Sequence, residues 1–323
     1  MDIANKILEN LYDRRNGFFT LEEIGKIVGA NYETVERALV ELSNRGHRFE
    51  RHPAEGIKLV RPTVMDAYLI ERGLPVKHIG RNVICFDEVD STNDIAFDAA
   101  NQANGQALVI TAQYQRRGRG RFNRKWIAKP NSAILASVLL HKSASILPHE
   151  SLTIAAGLAV AEGIEQITNL RPSLRWPNDV IIDDAKLAGV LVEIRQGVAN
   201  RYVVIGFGVN VLSAPPMEVV GKEAICLADA MAPMPVPEPI DILRSILIRI
   251  DHWIEQLGKG NVQQLHRQWC SRCNMMNRVV KIISSGQHFT GRVIDVNPLK
   301  GLILMTPQGQ YVHLPAGAST IVD

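Results

Sequence analysis

Apolar positions recur at helical spacing through the first part of the chain and then change period. Leu21, Ile24, Ile27 and Val28 follow Thr20, and Glu23 completes a capping box, so a helix is predicted from Leu21 with Gly29 as its stop. Asn31 can cap the next helix. In it Val35, Ala38, Leu39 and Leu42 fall at i, i+3, i+4 and i+7, one buried stripe that Gly46 terminates. From His47 to Val60, short extended runs flank a turn at Pro53 to Gly56 and read as a β-wing. Helix, short turn, helix and wing in this order predict a winged helix-turn-helix over residues 1–62. Arg61 and Pro62 close that unit, and residues 63–82, with a helical run from Met65 to Gly73, read as a connector.

From Val83 the pattern alternates. Strand-like runs (Ala107 to Gln113, Ile134 to Leu140, Leu187 to Ile194, Tyr202 to Val209) are interleaved with helical ones, the longest predicted from Glu150 to Thr168. Six prolines between Pro215 and Pro239 mark an irregular connection before a helix near Ile240 to Leu257. Residues 83–274 thus read as one central domain. Beyond it, residues 275–323 are short strands separated by turns at Ser284 to Gly286, Asn297 to Gly301 and Pro307 to Gly309, which predicts a small β-barrel.

Composition narrows the class. With 323 residues, 46% of them apolar, the chain can bury a sizeable core, which excludes a disordered or disulfide-stapled protein. The amino terminus mixes Asp2, Lys6, Glu9 and Asp13 with its apolar residues, the pattern of a soluble helix rather than a signal peptide. The longest near-apolar stretch, Leu152 to Ala161, is about half of the roughly 20 residues a spanning helix needs, so no membrane partner is expected. Four cysteines in a chain this long suggest reduced thiols and a cytoplasmic location.

Charge is nearly balanced, 36 Lys and Arg against 33 Asp and Glu, but its distribution is uneven. Arg116 to Lys125, RRGRGRFNRK, holds six cations and no acid; removing them leaves 30 basic residues against 33 acidic, so the excess belongs to this loop. Its like charges repel and its glycines leave the backbone permissive, so it should be mobile until a ligand arrives. Guanidinium forks suit a polyphosphate; an Arg-rich nucleic-acid-binding loop is the other reading. Neither a GxxxxGK[ST] loop nor a complete GxGxxG is present, Gly206-Phe207-Gly208 lacking the third glycine.

Four motifs in order, DSTN at Asp90 to Asn93, GRGRFNRKW at Gly118 to Trp126, RWPND at Arg175 to Asp179 and KLAGVLVE at Lys186 to Glu193, resemble the biotin-protein ligase family. With the flanking units, the chain resembles the bifunctional type that is also the biotin operon repressor. The resemblance implies an α+β multidomain protein: a winged helix-turn-helix, a central domain similar to class II aminoacyl-tRNA synthetases on a mostly antiparallel sheet, and a carboxyl-terminal SH3-like barrel. It implies ATP and Mg2+ as cofactors, biotin as substrate, and biotinyl-5′-AMP as intermediate. Its partners would be the biotin carboxyl carrier protein, a second copy in a homodimer, and the operator DNA of the biotin genes. A lipoate-protein ligase of the same superfamily is the rival within the fold.

Residue by residue, the resemblance places Ser91, Thr92, Asn93 and Gln115 at biotin, together with Gly118, Arg119, Gly120, Arg121 and Lys186. Arg121, Arg124, Trp126 and Asn178 are implied at the nucleotide. Catalysis would rest on Lys186, Arg119 and Arg121, with Asp179 orienting Mg2+ or the incoming lysine. Lys186 also stands out by itself, a lone Lys beside Leu187, Val190 and Val192, which belong in a core. Ser91 has a structural alternative as a helix N-cap. Asn123 replaces a glycine usual in the family, and Asn tolerates positive φ better than other non-glycine residues. In the first unit Tyr32, Thr34, Arg37, Arg45, Arg48 and Arg51 are the candidate DNA contacts, although residues 1–62 carry ten basic residues against ten acidic. Cys270-x-x-Cys273 with His266 holds the ligand types of a zinc site without a fourth member nearby.

Overall fold

A computed structural model describes residues 2–14, 17–197 and 201–322. Met1 and Asp323, at the edges of two expected segments, lie outside the described residues.

The first unit contains α1 (Ile3–Asp13), α2 (Leu21–Val28) and α3 (Tyr32–Asn44), then the hairpin of β1 (Phe49–His52) and β2 (Gly56–Leu59). Local chemistry sets its boundaries. Thr20 and Glu23 form the reciprocal capping box of α2, Gly29 ends it at φ 70°, and the Asn31 side chain accepts from Thr34 N to start α3. Val35, Ala38, Leu39 and Leu42 are buried as the stripe requires. The connector keeps a shorter helix than expected, α4 (Ala67–Glu71), capped by the Asp66 carboxylate.

The central domain is built on a seven-stranded sheet. Its strands are β3 (Val83–Val89), β4 (Leu108–Gln115), β5 (Ala133–Leu139), β6 (Ser173–Arg175), β7 (Asp179–Ile182), β8 (Ala185–Gln196) and β9 (Arg201–Asn210), in the order β3-β4-β5-β9-β8-β7-β6. Only the edge pair β3·β4 is parallel, so the sheet is mixed. The crossover between that pair carries α5 (Thr92–Asp98) and brings Val89 beside Gln115. Behind the sheet, α6 (His149–Thr168) is buried nearly all round, which is why its apolar run looked almost continuous.

Two short helices, α7 (Met217–Val220) and α8 (Leu227–Met231), occupy the proline-rich connection; α9 (Pro239–Gly258) and α10 (Val262–Cys270) follow. Helix α9 packs along α6, and a Cβ on Gly163 would stand 2.7 Å from Ile246 Cα, so a glycine is what lets the two backbones approach. The carboxyl-terminal strands β10 (Val279–Ser284), β11 (Gln287–Asn297), β12 (Gly301–Met305), β13 (Tyr311–Leu314) and β14 (Ser319–Val322) form an antiparallel sheet in the order β13-β12-β11-β10-β14. No described helix is long and apolar enough to cross a membrane.

Candidate active site

The parallel edge pair ends where α5 begins and where the Arg-rich loop departs, so two of the four motifs meet by topology. With β7, β8 and β9 they surround a cavity of about 610 Å3. Ser91, Thr92, Asn93, Gln115, Arg119, Gly120, Arg121, Arg124, Trp126, Asn178, Asp179 and Lys186 all line it, whereas Gly118 supports the loop from outside the lining. Thr320 and Ile321 of β14 close one side.

One wall is a hydrogen-bonded chain. Gln115 Oε1 accepts from Thr92 N at 2.7 Å and from Thr92 Oγ1 at 3.1 Å, leaving the Gln115 amide NH2 as a donor. The buried Ser137 hydroxyl lies 2.6 Å from Thr92 Oγ1 and 2.5 Å from Asn93 Oδ1, and Asn93 Nδ2 donates to Glu193 Oε2 at 2.6 Å. Ser91 occupies the N-cap position of α5, but its side chain makes no cap bond, so capping does not account for the residue.

The floor is made of missing side chains. Gly189 stands directly opposite Gly208 in the ladder, and Gly206 and Gly208 share one face of β9. A Cβ on Gly208 would meet Trp126 Cε2 at 2.4 Å, and one on Gly206 would meet Asn93 Oδ1 at 2.2 Å. The Trp126 ring therefore lies against bare backbone. The glycines of Gly206-Phe207-Gly208 serve this close approach, not a phosphate turn.

The loop is a small hairpin. Trp126 N donates to Gly118 O at 2.9 Å and Gly120 N to Arg124 O at 2.6 Å, with Phe122 and Asn123 at its tip at φ 54° and 57°. Asn123 adopts the positive φ that suits it. Phe122 does so too, an uncommon conformation for a bulky residue; the residue is 53% exposed and its ring lies 4.8 Å from the Arg121 guanidinium.

The cations of the loop are already engaged. Arg119 makes a two-pronged contact with Asp94, at 2.7 and 2.9 Å, and reaches Glu193 Oε2 at 2.9 Å. Hydrogen bonds from Arg119 hold the Asp94 carboxyl below its ordinary value despite burial, and Asp94 in turn raises the Arg119 pKa. Arg121 donates to the carbonyls of Ala316, in the turn before β14, and of Ser319 in β14, and burial pushes its pKa down to about 10 against the pull of Asp179. Arg124 contacts Thr320 Oγ1 at 3.3 Å. Neither Asp94 and Glu193 as the Arg119 clamp nor the Arg121 anchor was expected. DSTND and KLAGVLVE contain the two acids, but only the fold shows which arginine they meet.

On the opposite wall Lys186 Nζ lies 2.6 Å from Asp179 Oδ1 and 5.7 Å from the centroid of the Trp126 ring. Its neighbours Leu187, Val190 and Val192 are buried, as expected. Asn178 donates to Val190 O at 2.6 Å and accepts from Val190 N at 3.0 Å, which binds its side chain and backbone to β8.

Among the candidate DNA contacts, Tyr32 is 66% exposed, while Arg37 and Arg48 are exposed cations. Thr34 lies in the first turn of α3, its N–H held by Asn31. Arg51 pairs with Glu36 at 3.2 Å. Arg45 turns inward to Asn5 and Asp66, where His47 also reaches Asp66.

The family model described as the biotin/lipoate A/B protein ligase family matches residues 85–210. A bifunctional ligase/repressor BirA of Bacillus subtilis is 28% identical over 215 residues, 66% of this chain and 66% of that protein, so the match spans just under two thirds of that relative. A biotin–[acetyl-CoA-carboxylase] ligase of Mycobacterium tuberculosis is 31% identical over 262 residues, 77% of this chain and 94% of that one. A biotin protein ligase from Aquifex aeolicus, solved in complex with biotin and ATP, shares the fold with a TM-score of 0.63 at 24% identity, covering 75% of this chain and 99% of that one.

Proposed function

The chain belongs to the biotin/lipoate A/B protein ligase family, and from that membership we propose that it is a biotin-[acetyl-CoA-carboxylase] ligase that joins biotin to a lysine of a biotin carboxyl carrier protein. The observation that carries this reading is the convergence of all four motifs on one cavity, with Lys186 between Asp179 and the Trp126 ring. In the first step a carboxylate oxygen of biotin attacks the α-phosphorus of ATP, a P–O bond forms, and pyrophosphate leaves. In the second, the carrier lysine amine attacks the carbonyl of biotinyl-5′-AMP, AMP leaves, and the amine loses its proton.

Both steps concentrate negative charge on oxygens, so preorganised cations serve them better than a protein nucleophile. Lys186 supplies the cation from the opposite wall, and the hydroxyls and amides of Ser91 to Asn93 and Gln115 orient the ring system of biotin. Arg119, Gly120 and Arg121 wrap biotin and the adenylate phosphate, Arg124 faces the nucleotide, and Trp126 and Asn178 shape the adenine side. Bound Mg2+ would neutralise the triphosphate, and Asp179, paired with Lys186 at 2.6 Å, would either offer it a carboxylate or orient the incoming lysine.

A lipoate-protein ligase belongs to the same superfamily, and pyrophosphate exchange with biotin against lipoate separates the two. An Arg-rich nucleic-acid-binding loop fits less well, since Arg119, Arg121 and Arg124 all make contacts within the fold. In the deciding experiment, Lys186→Ala loses biotin-dependent pyrophosphate exchange by about a hundredfold or more, the scale of one lost oxyanion-stabilising group, while its circular dichroism is unchanged. Near-normal exchange in that variant rules the assignment out.

The same proposal extends to a winged helix-turn-helix in residues 1–62, a central domain in 83–274, an SH3-like unit in 275–323, and biotin-responsive repression by a homodimer in the cytoplasm. Its support is the order of α1 to β2 and the ligase/repressor name of the Bacillus relative. With Arg45 used internally, DNA contact rests on Tyr32, Thr34, Arg37, Arg48 and Arg51. A gel shift on DNA upstream of the biotin genes, with and without biotin and ATP, tests it; no ligand-dependent shift removes the repressor function.

A further inference from the structure

Outside the ligase cavity, the chain places a nitrogen, a sulfur and an oxygen ligand within reach of one ion. His266 and Cys270 lie four residues apart on α10 and so project from one face of that helix. The third member is not Cys273 but Asp295 of β11. That strand bulges between Val293 and Asp295, and such a bulge re-aims the side chain beside it. Asp295 Oδ1 is 2.6 Å from His266 Nε2 and 3.5 Å from Cys270 Sγ, and it also accepts from Val296 N at 2.8 Å. Asp295 Oδ1 is thus the shared centre of the imidazole and the thiol. The candidate ligand atoms of the three side chains all lie within 4.8 Å of one another, the one group of this kind among the described residues.

We propose that His266, Cys270 and Asp295 bind a divalent transition-metal ion, best matched by Zn2+, in a three-ligand site whose fourth position is open. Imidazole, thiolate and carboxylate are all zinc donors, and the thiolate disfavours Mg2+ or Ca2+. Ordinary zinc–ligand bond lengths put tetrahedral neighbours roughly 3.3 to 3.7 Å apart. The sulfur–oxygen pair already has that spacing, and the imidazole must withdraw by about 1 Å or less. On binding, the Cys270 thiol releases its proton to solvent, and His266 coordinates through Nε2 as the neutral ring. The His266 and Asp295 side chains are 33% and 27% exposed, so solvent reaches two of the three ligands. An ion there joins α10 to β11, hence the central domain to the carboxyl-terminal sheet.

The test uses the full chain, stripped with chelator, desalted and kept reduced with a phosphine, then titrated with Zn2+ or Co2+. We expect one tight equivalent and, with Co2+, tetrahedral ligand-field bands plus a thiolate-to-metal charge-transfer band. That band disappears in Cys270→Ser, affinity falls at least tenfold in His266→Ala and in Asp295→Asn, and Cys273→Ser behaves as wild type. A band that survives Cys270→Ser, a loss of binding in Cys273→Ser, or wild-type affinity no tighter than that of the variants overturns the proposal. Should Cys270→Ser fail to fold, alkylation of the wild-type chain decides: zinc must protect Cys270 from iodoacetamide, and equal labelling with and without zinc is the overturning result.

Discussion

Gly208 shows how much of the cavity depends on an atom that is not there. Its Cβ would stand 2.4 Å from Trp126 Cε2, a contact that a rigid indole relieves only by moving. Overpacking of this kind costs about 1–3 kcal/mol, and here the ring carries the displacement. Gly208→Ala should therefore raise KM for ATP roughly tenfold or more while its fold persists; unchanged KM with Trp126 fluorescence unaltered would mean that the floor has slack. Asp94 governs the wall that holds Arg119. Hydrogen bonds from Arg119 keep its folded pKa below the ordinary 3.8, so the charged pair adds stability above about that pH and loses it as pH falls through the folded value. Asp94→Asn is expected to lower the urea midpoint at neutral pH and to match wild type in acid below the folded pKa. A gap between the two proteins that persists there would show that the Asp94 charge is not its source.

The Arg-rich hairpin combines part-buried and exposed cations in a single short element, the exposed Arg116 and Arg117 both pairing with Asp90 at the surface, at 2.7 and 3.8 Å. Arg119 and Arg121 are fixed at its centre, while Arg116 and Arg117 at its entrance are 59% and 82% exposed at the side chain. Trypsin should cut the ligand-free chain at those two arginines, and biotin with ATP should slow that cleavage several-fold; equal rates would mean that ligand does not order the hairpin. What could be read in advance divides along the same line. The helix ends at Thr20, Gly29 and Asn31 and the positive φ of Asn123 follow from neighbours in sequence, so they were legible. The four motifs were legible as a set, and the structure brings them to one cavity. The clamp of Arg119 by Glu193, 74 residues away, and the anchor of Arg121 on Ser319, 198 away, depend on register and domain packing that no local pattern encodes. The mostly antiparallel sheet agrees with expectation, but which pair is parallel was hidden for the same reason, because β3 pairs with β4 only through the α5 crossover.

The three units share one continuous apolar core, but polar contacts decide where the first of them sits on the second. Glu238, just before α9 and nearly buried, accepts from Thr63 N at 2.8 Å and pairs with Arg61 at 3.3 Å. Arg61 in turn donates to Tyr12 O at 2.6 Å and lies 4.8 Å from the Tyr12 ring, whose hydroxyl reaches Asp241 at 2.9 Å. Carboxylate, guanidinium and phenol thus lock α1 and the connector onto α9. Glu238→Gln keeps the shape and one acceptor but leaves the Arg61 charge without its counter-charge in a site largely closed to water. A loss of about 1–3 kcal/mol is expected in urea unfolding, the cost of a buried charged group with incomplete partners. Because the ligase cavity takes its lining from Ser91 onward, biotin-dependent exchange should stay within about twofold of wild type. Amide hydrogen exchange locates the effect: faster exchange confined to residues 1–62 and the connector is the expected pattern. Uniform acceleration across the chain would instead mean that the clasp stabilises the core as a whole, and an unchanged urea midpoint would mean that apolar packing alone seats the first unit.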